Sequence, residues 1–190
     1  MIPHIAPNDL EMFYKYLSKA KIYFEYGSGG STYQASLMSN IQKIFSVESD
    51  IEWKNELQKK IVNNNVIFLF NDMNTIPNTW GHPAPNCNNN QLINYSSQIY
   101  NISENDQQNI DFILIDGRFR VACCLKLFDV INLNCKIAFD DFLDRQEYHV
   151  VLDYFNIVEN TCDNRMVILE KKENIFMSQE LIKKYELIAN

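Results

Sequence analysis

Short apolar runs alternate with longer polar segments of helical period along almost the whole chain, and few folds satisfy that order. KIYFEY (21–26), KIFSVE (43–48), VIFLF (66–70), DFILID (111–116) and CKIAFDD (135–141) read as buried strands. Helical segments lie between or beside them: Asn8 to Ser18 before the first, Ser31 to Asn40, Asp50 to about Lys60, Gln91 to Tyr100, VACCLKLFDVI after the fourth, and Asp144 to Leu152. Strand–helix–strand repetition predicts a parallel sheet covered by helices on both faces. The last two strand candidates, DYFNIVE and RMVILEK, are separated only by the short ENTCDN turn, which can join only antiparallel neighbours. The expected architecture is therefore α/β and Rossmann-like: a doubly wound, mostly parallel seven-stranded sheet closed by an antiparallel C-terminal hairpin.

One core suffices for this chain. Its 190 residues, 46% hydrophobic, predict a single domain over 1–190 with an N-terminal helix within 1–20 and a C-terminal helix within 176–190. The segment SQELIKKYELIAN is amphipathic at helical spacing, so its apolar face is expected to cover the sheet or a second chain as a homodimer. Residues 71–90 are rich in Asn, Pro and Gly and predict a long loop of the functional kind.

A net charge of -7 and a pI near 4.9 argue against nucleic-acid or anionic-membrane partners. No apolar stretch is long enough to span a bilayer and the N-terminus has no signal-peptide pattern, so a soluble, cytoplasmic protein is expected. Five cysteines at irregular spacing read as reduced thiols, and Cys123 and Cys124 as helix-core residues.

YFEYGSGGST raises the functional question. In an open parallel sheet a ligand binds beyond the carboxyl ends of the strands, and the first strand-to-helix turn is the expected place. Gly27, Gly29 and Gly30 permit a tight turn and close backbone approach, and Ser28, Ser31 and Thr32 add hydroxyls to the same lip. A plain tight turn satisfies the pattern too. Glu48 ends the second strand about twenty residues on, where a carboxylate accepts from both hydroxyls of a ribose. Glu25, just before the glycines, would repel a diphosphate and attract an ammonium group, which speaks against a nicotinamide-dependent oxidoreductase.

A second constellation ends later strands. Asp116 and the pair Asp140–Asp141 should be neighbours in such a sheet, and clustered carboxylates suit a hard cation such as Mg2+. Asp140 or Asp141 as a helix cap is the simpler alternative. Arg118 follows Asp116 closely and would neutralise it by pairing, making the metal superfluous; Arg118 and Arg120 would otherwise grip an anionic or sugar acceptor. Arg145 and Tyr148 are expected at the same mouth, Trp80 as a stacking surface in the proline-stiffened loop, and His82 and His149 as weaker candidates for a general base.

EYGSGGST, SVESD and DFILIDGR resemble the motifs of the class I S-adenosylmethionine-dependent methyltransferases, in an order covering about residues 10 to 170. That resemblance implies that Glu25 and the Gly27–Gly30 turn hold the methionine moiety, Glu48 the ribose, and Asp72 with Met73 the adenine edge. Asp116 would stand near the transferred methyl. The acids also look like those of metal-dependent O-methyltransferases of catechols and sugars, with Asp116, Asp140 and Asp141 as ligands, although DGRF stands here where D-G-D-H is frequent. Motifs of base-methylating enzymes are absent. The implied activity is O-methylation of a small molecule or sugar, with Asp116 or Asp141 taking the proton and Arg118 assisting; the alternative is a cofactor-binding or partner subunit without turnover.

Overall fold

The computed structural model describes residues 1–76, 79–161 and 165–189. A helix α1 (Pro7–Leu17) leads into strand β1 (Ile22–Tyr26), and the chain then alternates: α2 (Gly30–Ser36), β2 (Lys43–Glu48), α3 (Ile51–Lys60), β3 (Val66–Phe70). After a long loop come α4 (Asn89–Ser96), a 3-10 turn (Ser97–Asn101), α5 (Glu104–Gln108), β4 (Phe112–Ile115), α6 (Arg120–Leu127) and β5 (Lys136–Phe139). A 3-10 helix (Gln146–Asp153), β6 (Phe155–Asn160), β7 (Val167–Lys171) and α7 (Gln179–Tyr185) complete the order. The seven strands lie in the sequence β3-β2-β1-β4-β5-β7-β6, parallel except for β7, which runs antiparallel to both β5 and β6.

Each central strand deals its residues to two cores by simple alternation. Ile113 and Ile115 of β4 face the side covered by α6, whereas Phe112 and Leu114 face α1 through Phe13 and Leu17. Because both faces are covered, the strands read as unbroken apolar runs. α6 is buried on all sides, its VACCLKL lying under α4 and α7, and its Lys126 is only 4% exposed. That cation is tolerated because Ser96 and Ser97 hydroxyls accept from its Nζ at 2.9 and 2.8 Å and Glu186 of the C-terminal segment lies 2.6 Å away.

Several boundaries shift from the sequence expectation. The helix after the glycines stops at Ser36 instead of Asn40 because Leu37, Met38 and Ile41 bond back in successive tight turns. α4 gives way to 3-10 geometry near Ser97, the segment before β6 is a 3-10 helix, and α5 carries too little apolar pattern to be foreseen. Asp50 caps α3 as expected, accepting from the N–H groups of Glu52 and Trp53. The apolar face of the C-terminal helix, through Leu181, Ile182 and Tyr185, covers this chain's own core.

The strand order reverses between β1, which continues to β2, and β4, which continues to β5. That switch point opens a crevice at the carboxyl ends of β1 and β4.

Candidate active site

Two glycines make the crevice possible. Gly27 follows β1 with φ +93°, and a Cβ on it would lie 2.9 Å from the Cα of Gly117, which follows β4. The two backbones touch where any side chain would block them. Gly30 has a different neighbour: its Cβ would stand 2.3 Å from the carbonyl oxygen of Ile2. The N-terminal segment thus lies directly across the first turn of α2, held also by the Gln34 amide donating to the Met1 carbonyl at 2.6 Å.

A cavity of about 610 Å³ occupies the crevice, walled by the 27–31 turn, Glu48 to Asp50, Trp53, Asp116 to Arg118, and the segments 1–4 and 79–81. Glu48 is 6% exposed; its Oε1 accepts from the N–H groups of Ser49 and Asp50 at 2.7 and 2.8 Å, and its Oε2 accepts from the Ser28 hydroxyl. Burial pushes its carboxyl above the ordinary glutamate range, and those three donors work against the rise. Trp53, on α3, donates its indole N–H to the Ser28 carbonyl at 3.0 Å and so fixes the far side of the turn.

Glu25 sits elsewhere than its sequence position suggests. It is fully buried, outside the cavity wall, and accepts from the hydroxyls of Tyr23 (2.8 Å), Ser46 (2.7 Å) and Thr32. Thr32 in turn accepts from the N–H of Gly29 at 2.9 Å. These bonds make Glu25 and Thr32 the foundation of the glycine turn, one layer behind the residues that line the cavity. Asp72 and Met73 also lie outside the cavity wall. Met73 is fully buried, and Asp72 accepts from the N–H of Asn74 at 2.8 Å; Ser49, Asp50, Trp53 and Gly81 line the region instead. Gly27, Ser28, Gly29, Ser31, Glu48 and Asp116 do line it.

A smaller hollow of about 280 Å³ adjoins, sharing His4, Trp80, Asp116, Gly117 and Arg118 with the larger cavity and adding Arg120, Asp140, Asp141, Arg145 and Arg165. The three acids do converge here, as their strand-end positions predict. Between them stands a buried guanidinium. Arg120 Nη2 lies 3.1 Å from Asp116 Oδ1, while Nη1 lies 3.2 Å from Asp141 Oδ2, 3.7 Å from Asp140 Oδ2 and 2.7 Å from the Asp140 carbonyl oxygen. Nε donates to the Gly117 carbonyl at 2.9 Å. The expected Mg2+ ligand set therefore does not fit a metal, because the Arg120 cation already fills the gap among Asp116, Asp140 and Asp141. Among the described residues no group of acids, histidines and cysteines has metal-binding geometry.

Burial pushes the Asp140 carboxyl up to about 8, the charge of Asp116 adding to the rise and Arg120 opposing it. Asp116 rises as well, chiefly through burial, with Arg120 opposing. Asp141 takes φ +57°, a strained conformation outside glycine, and its carboxylate bridges Arg120, Arg145 (2.9 Å) and Arg165 (3.1 Å).

Arg118 does not pair with Asp116 as its position suggests. Its Nε and Nη2 donate to the carbonyls of Trp80 (3.1 Å) and Thr79 (3.0 Å), tying the 79–81 loop to the end of β4. Trp80, with φ +56° and 76% exposed, meets the His4 ring at 5.0 Å, so that loop and the N-terminal segment touch above the cavity. Tyr148 is buried behind the hollow, where its hydroxyl accepts from Arg145 Nη1 at 2.7 Å. His149 faces the Phe142 carbonyl and ring, and His82 faces the Pro83 carbonyl; neither lines either of these two cavities. Cys123, Cys124 and Cys135 are buried thiols pushed up by burial, Cys87 is half-buried, and Cys162 lies outside the described residues. The sequence offered no signal for His4 or Arg165, which only the fold brings here.

No protein-family profile and no curated protein matches the chain. Solved structures do. The chain is similar to a methyltransferase-like protein from Silicibacter pomeroyi, 24% identical, with a TM-score of 0.84 over 98% of this chain and 97% of that one. It is also similar to a candidate caffeoyl-CoA O-methyltransferase from Staphylococcus aureus, 17% identical, TM-score 0.57, over 90% and 86% of the two chains. An rRNA methylase from Streptococcus thermophilus is 12% identical with a TM-score of 0.53, over 91% and 99%. These likenesses show a Rossmann-like methyltransferase fold.

Proposed function

We propose that this chain is an S-adenosylmethionine-dependent methyltransferase acting on an oxygen of a small molecule or sugar. One observation carries the reading: Glu48 and the Gly27–Gly30 turn face one cavity at the β1/β4 switch point, and Asp116 stands where that cavity meets the smaller hollow. Gly29, where a Cβ would meet nothing within 4 Å, leaves the turn's backbone open toward the cavity and suits the amino-acid end of the donor, and Glu48 suits its ribose diol. Trp53 and Gly81 offer a slot for the flat base.

When bound, the donor supplies an electrophilic sulfonium methyl group. The chain's own contribution is alignment. An acceptor seated against Trp80 and Arg118 would present its hydroxyl in line, with about 3 Å between reacting atoms. Asp116, whose carboxyl burial raises above the ordinary aspartate range and so makes a stronger base, would take the hydroxyl proton. Arg120 would hold Asp116 in position, and the segments 1–4 and 79–81 would keep water out.

A second reading, a donor-binding chain without turnover, is favoured by the ion pairs that Asp116 and Asp141 already make with Arg120. Calorimetry with S-adenosylmethionine and S-adenosylhomocysteine, followed by product detection on a panel of hydroxyl acceptors, separates the two. Binding with turnover supports the enzyme; binding with no product on any acceptor supports the second reading, and no binding of either nucleoside refutes both.

A further inference from the structure

Resting on that acceptor reading, we infer that the smaller hollow holds an oxyanion carried by the acceptor, a carboxylate or a phosphate, between Arg145 and Arg165, with Arg118 in the same lining. Among the described residues lining the hollow, four of ten are arginines and three are aspartates. The chain as a whole carries -7, so a basic wall here is not a consequence of composition. Arg120 is consumed by structural bonds; Arg145 bonds Tyr148 and Asp141 and Arg165 bonds Asp141, but both guanidiniums stay partly exposed. Arg165 is 44% exposed and Arg145 36%, and both hang on the same carboxylate, Asp141, which Arg120 shares.

Arg120 also pairs with Asp116, but Arg145 and Arg165 have Asp141 between them and share even that with Arg120, which leaves the outer charge under-compensated. Asp140 adds little to the negative side, since burial and the Asp116 charge hold most of it protonated at neutral pH. Asp141 is kept in this role by a left-handed backbone, and Tyr148 buttresses Arg145 from behind. The result is a pair of braced planar forks at the mouth of a hollow, a geometry suited to bidentate oxyanion binding. The hollow opens on Asp116, so an anion held there would place a hydroxyl a few bonds away at the donor cavity.

The test uses the full chain saturated with S-adenosylhomocysteine and titrated with inorganic phosphate, glucose 6-phosphate, glucuronate and glucose. The anions should bind at least about tenfold tighter than glucose, and either Arg165→Gln or Arg145→Gln should weaken them about tenfold or more. S-adenosylhomocysteine affinity and melting temperature should stay unchanged in Arg165→Gln, whose side chain is half-exposed. The preferred anion, glucuronate or glucose 6-phosphate, tells carboxylate from phosphate. Equal binding of glucose, or anion binding insensitive to both substitutions, overturns the inference while leaving the donor cavity intact. Anion binding without any S-adenosylhomocysteine binding refutes the donor cavity and keeps the oxyanion site.

Discussion

Replacing Glu48 by Gln separates ligand recognition from folding at one position. The carboxylate has about four acceptor sites. Two backbone N–H groups and the Ser28 hydroxyl engage three of them, so a ribose diol would find one open site and compete with Ser28 for another. The amide oxygen of Gln can still accept from Ser49 and Asp50, which keeps the strand end intact. What it loses is at least one hydrogen bond to a charged acceptor, about 1.5–3 kcal/mol, or roughly a ten- to hundredfold weaker Kd. Stability should move the other way. Glu48 is 6% exposed and its carboxyl is pushed up by burial, so the charge is a burden in the folded chain that the neutral amide removes. Calorimetric titration with S-adenosylhomocysteine should therefore show the affinity loss while thermal unfolding shows an equal or higher Tm. An affinity within about threefold of the parent would refute Glu48 as the ribose acceptor. A Tm lower by several degrees, each ~1 kcal/mol corresponding to about 2–4 °C at this size, would show that the carboxylate is structural.

Further perturbations probe the neighbouring groups. Arg120→Met leaves Asp116, Asp140 and Asp141 buried without their shared cation and should cost about 3–5 kcal/mol in urea unfolding at neutral pH. The folded-state carboxyls of Asp140, Asp116, Glu25 and Glu48 all lie above their unfolded values, so the native chain holds more protons and stability should fall as pH rises from about 5 to 8. A loss of about 2 kcal/mol, roughly half of one full proton at ~1.4 kcal/mol per pH unit, is expected, and Asp140→Asn should flatten it. Gly30→Ala should push the Ile2 carbonyl away, raising amide exchange over residues 2–6, speeding S-adenosylhomocysteine release and lowering Tm, because the atoms in its way are backbone and must move. If turnover is found, a chelator should leave it unchanged, since a guanidinium fills the place among the acids.

Most of the fold was legible because it rests on local pattern. The unbroken apolar run FILI and the glycines after IYFEY each specify a strand or a turn without help from distant residues. The short link between the last two strands did the same for the antiparallel closure. Helix ends were less legible, since Leu37 and Met38 continue a helical pattern that the return to β2 cuts short. In the site, the glycine turn, Glu48 and the convergence of Asp116 with Asp140 and Asp141 follow from topology alone, because parallel strands put their ends side by side.

What the sequence could not resolve is which way a side chain turns once the chain bends. Arg118 and Arg120 follow Asp116 by two and four residues, so the sequence favours Arg118 as its partner. Phe119 between them takes φ +54° at the start of α6, and that single left-handed residue sends Arg118 outward to the 79–81 carbonyls and Arg120 inward to the acids. Glu25 shows the same uncertainty: a strand residue points to one face or the other, and β1 in this register sends it to Ser46 and Thr32 beneath the turn. A carboxylate triad read from sequence thus looks like a metal site, whereas the structure makes it the counter-charge of a fixed guanidinium. The difference is chemical. A bound metal can be removed and offers open coordination positions, but Arg120 has its donors on Asp116, Asp141, the Asp140 carbonyl and the Gly117 carbonyl, so it can orient Asp116 without touching an acceptor. On the proposed reading, recognition of the acceptor would fall to Arg145 and Arg165, which share the Asp141 carboxylate.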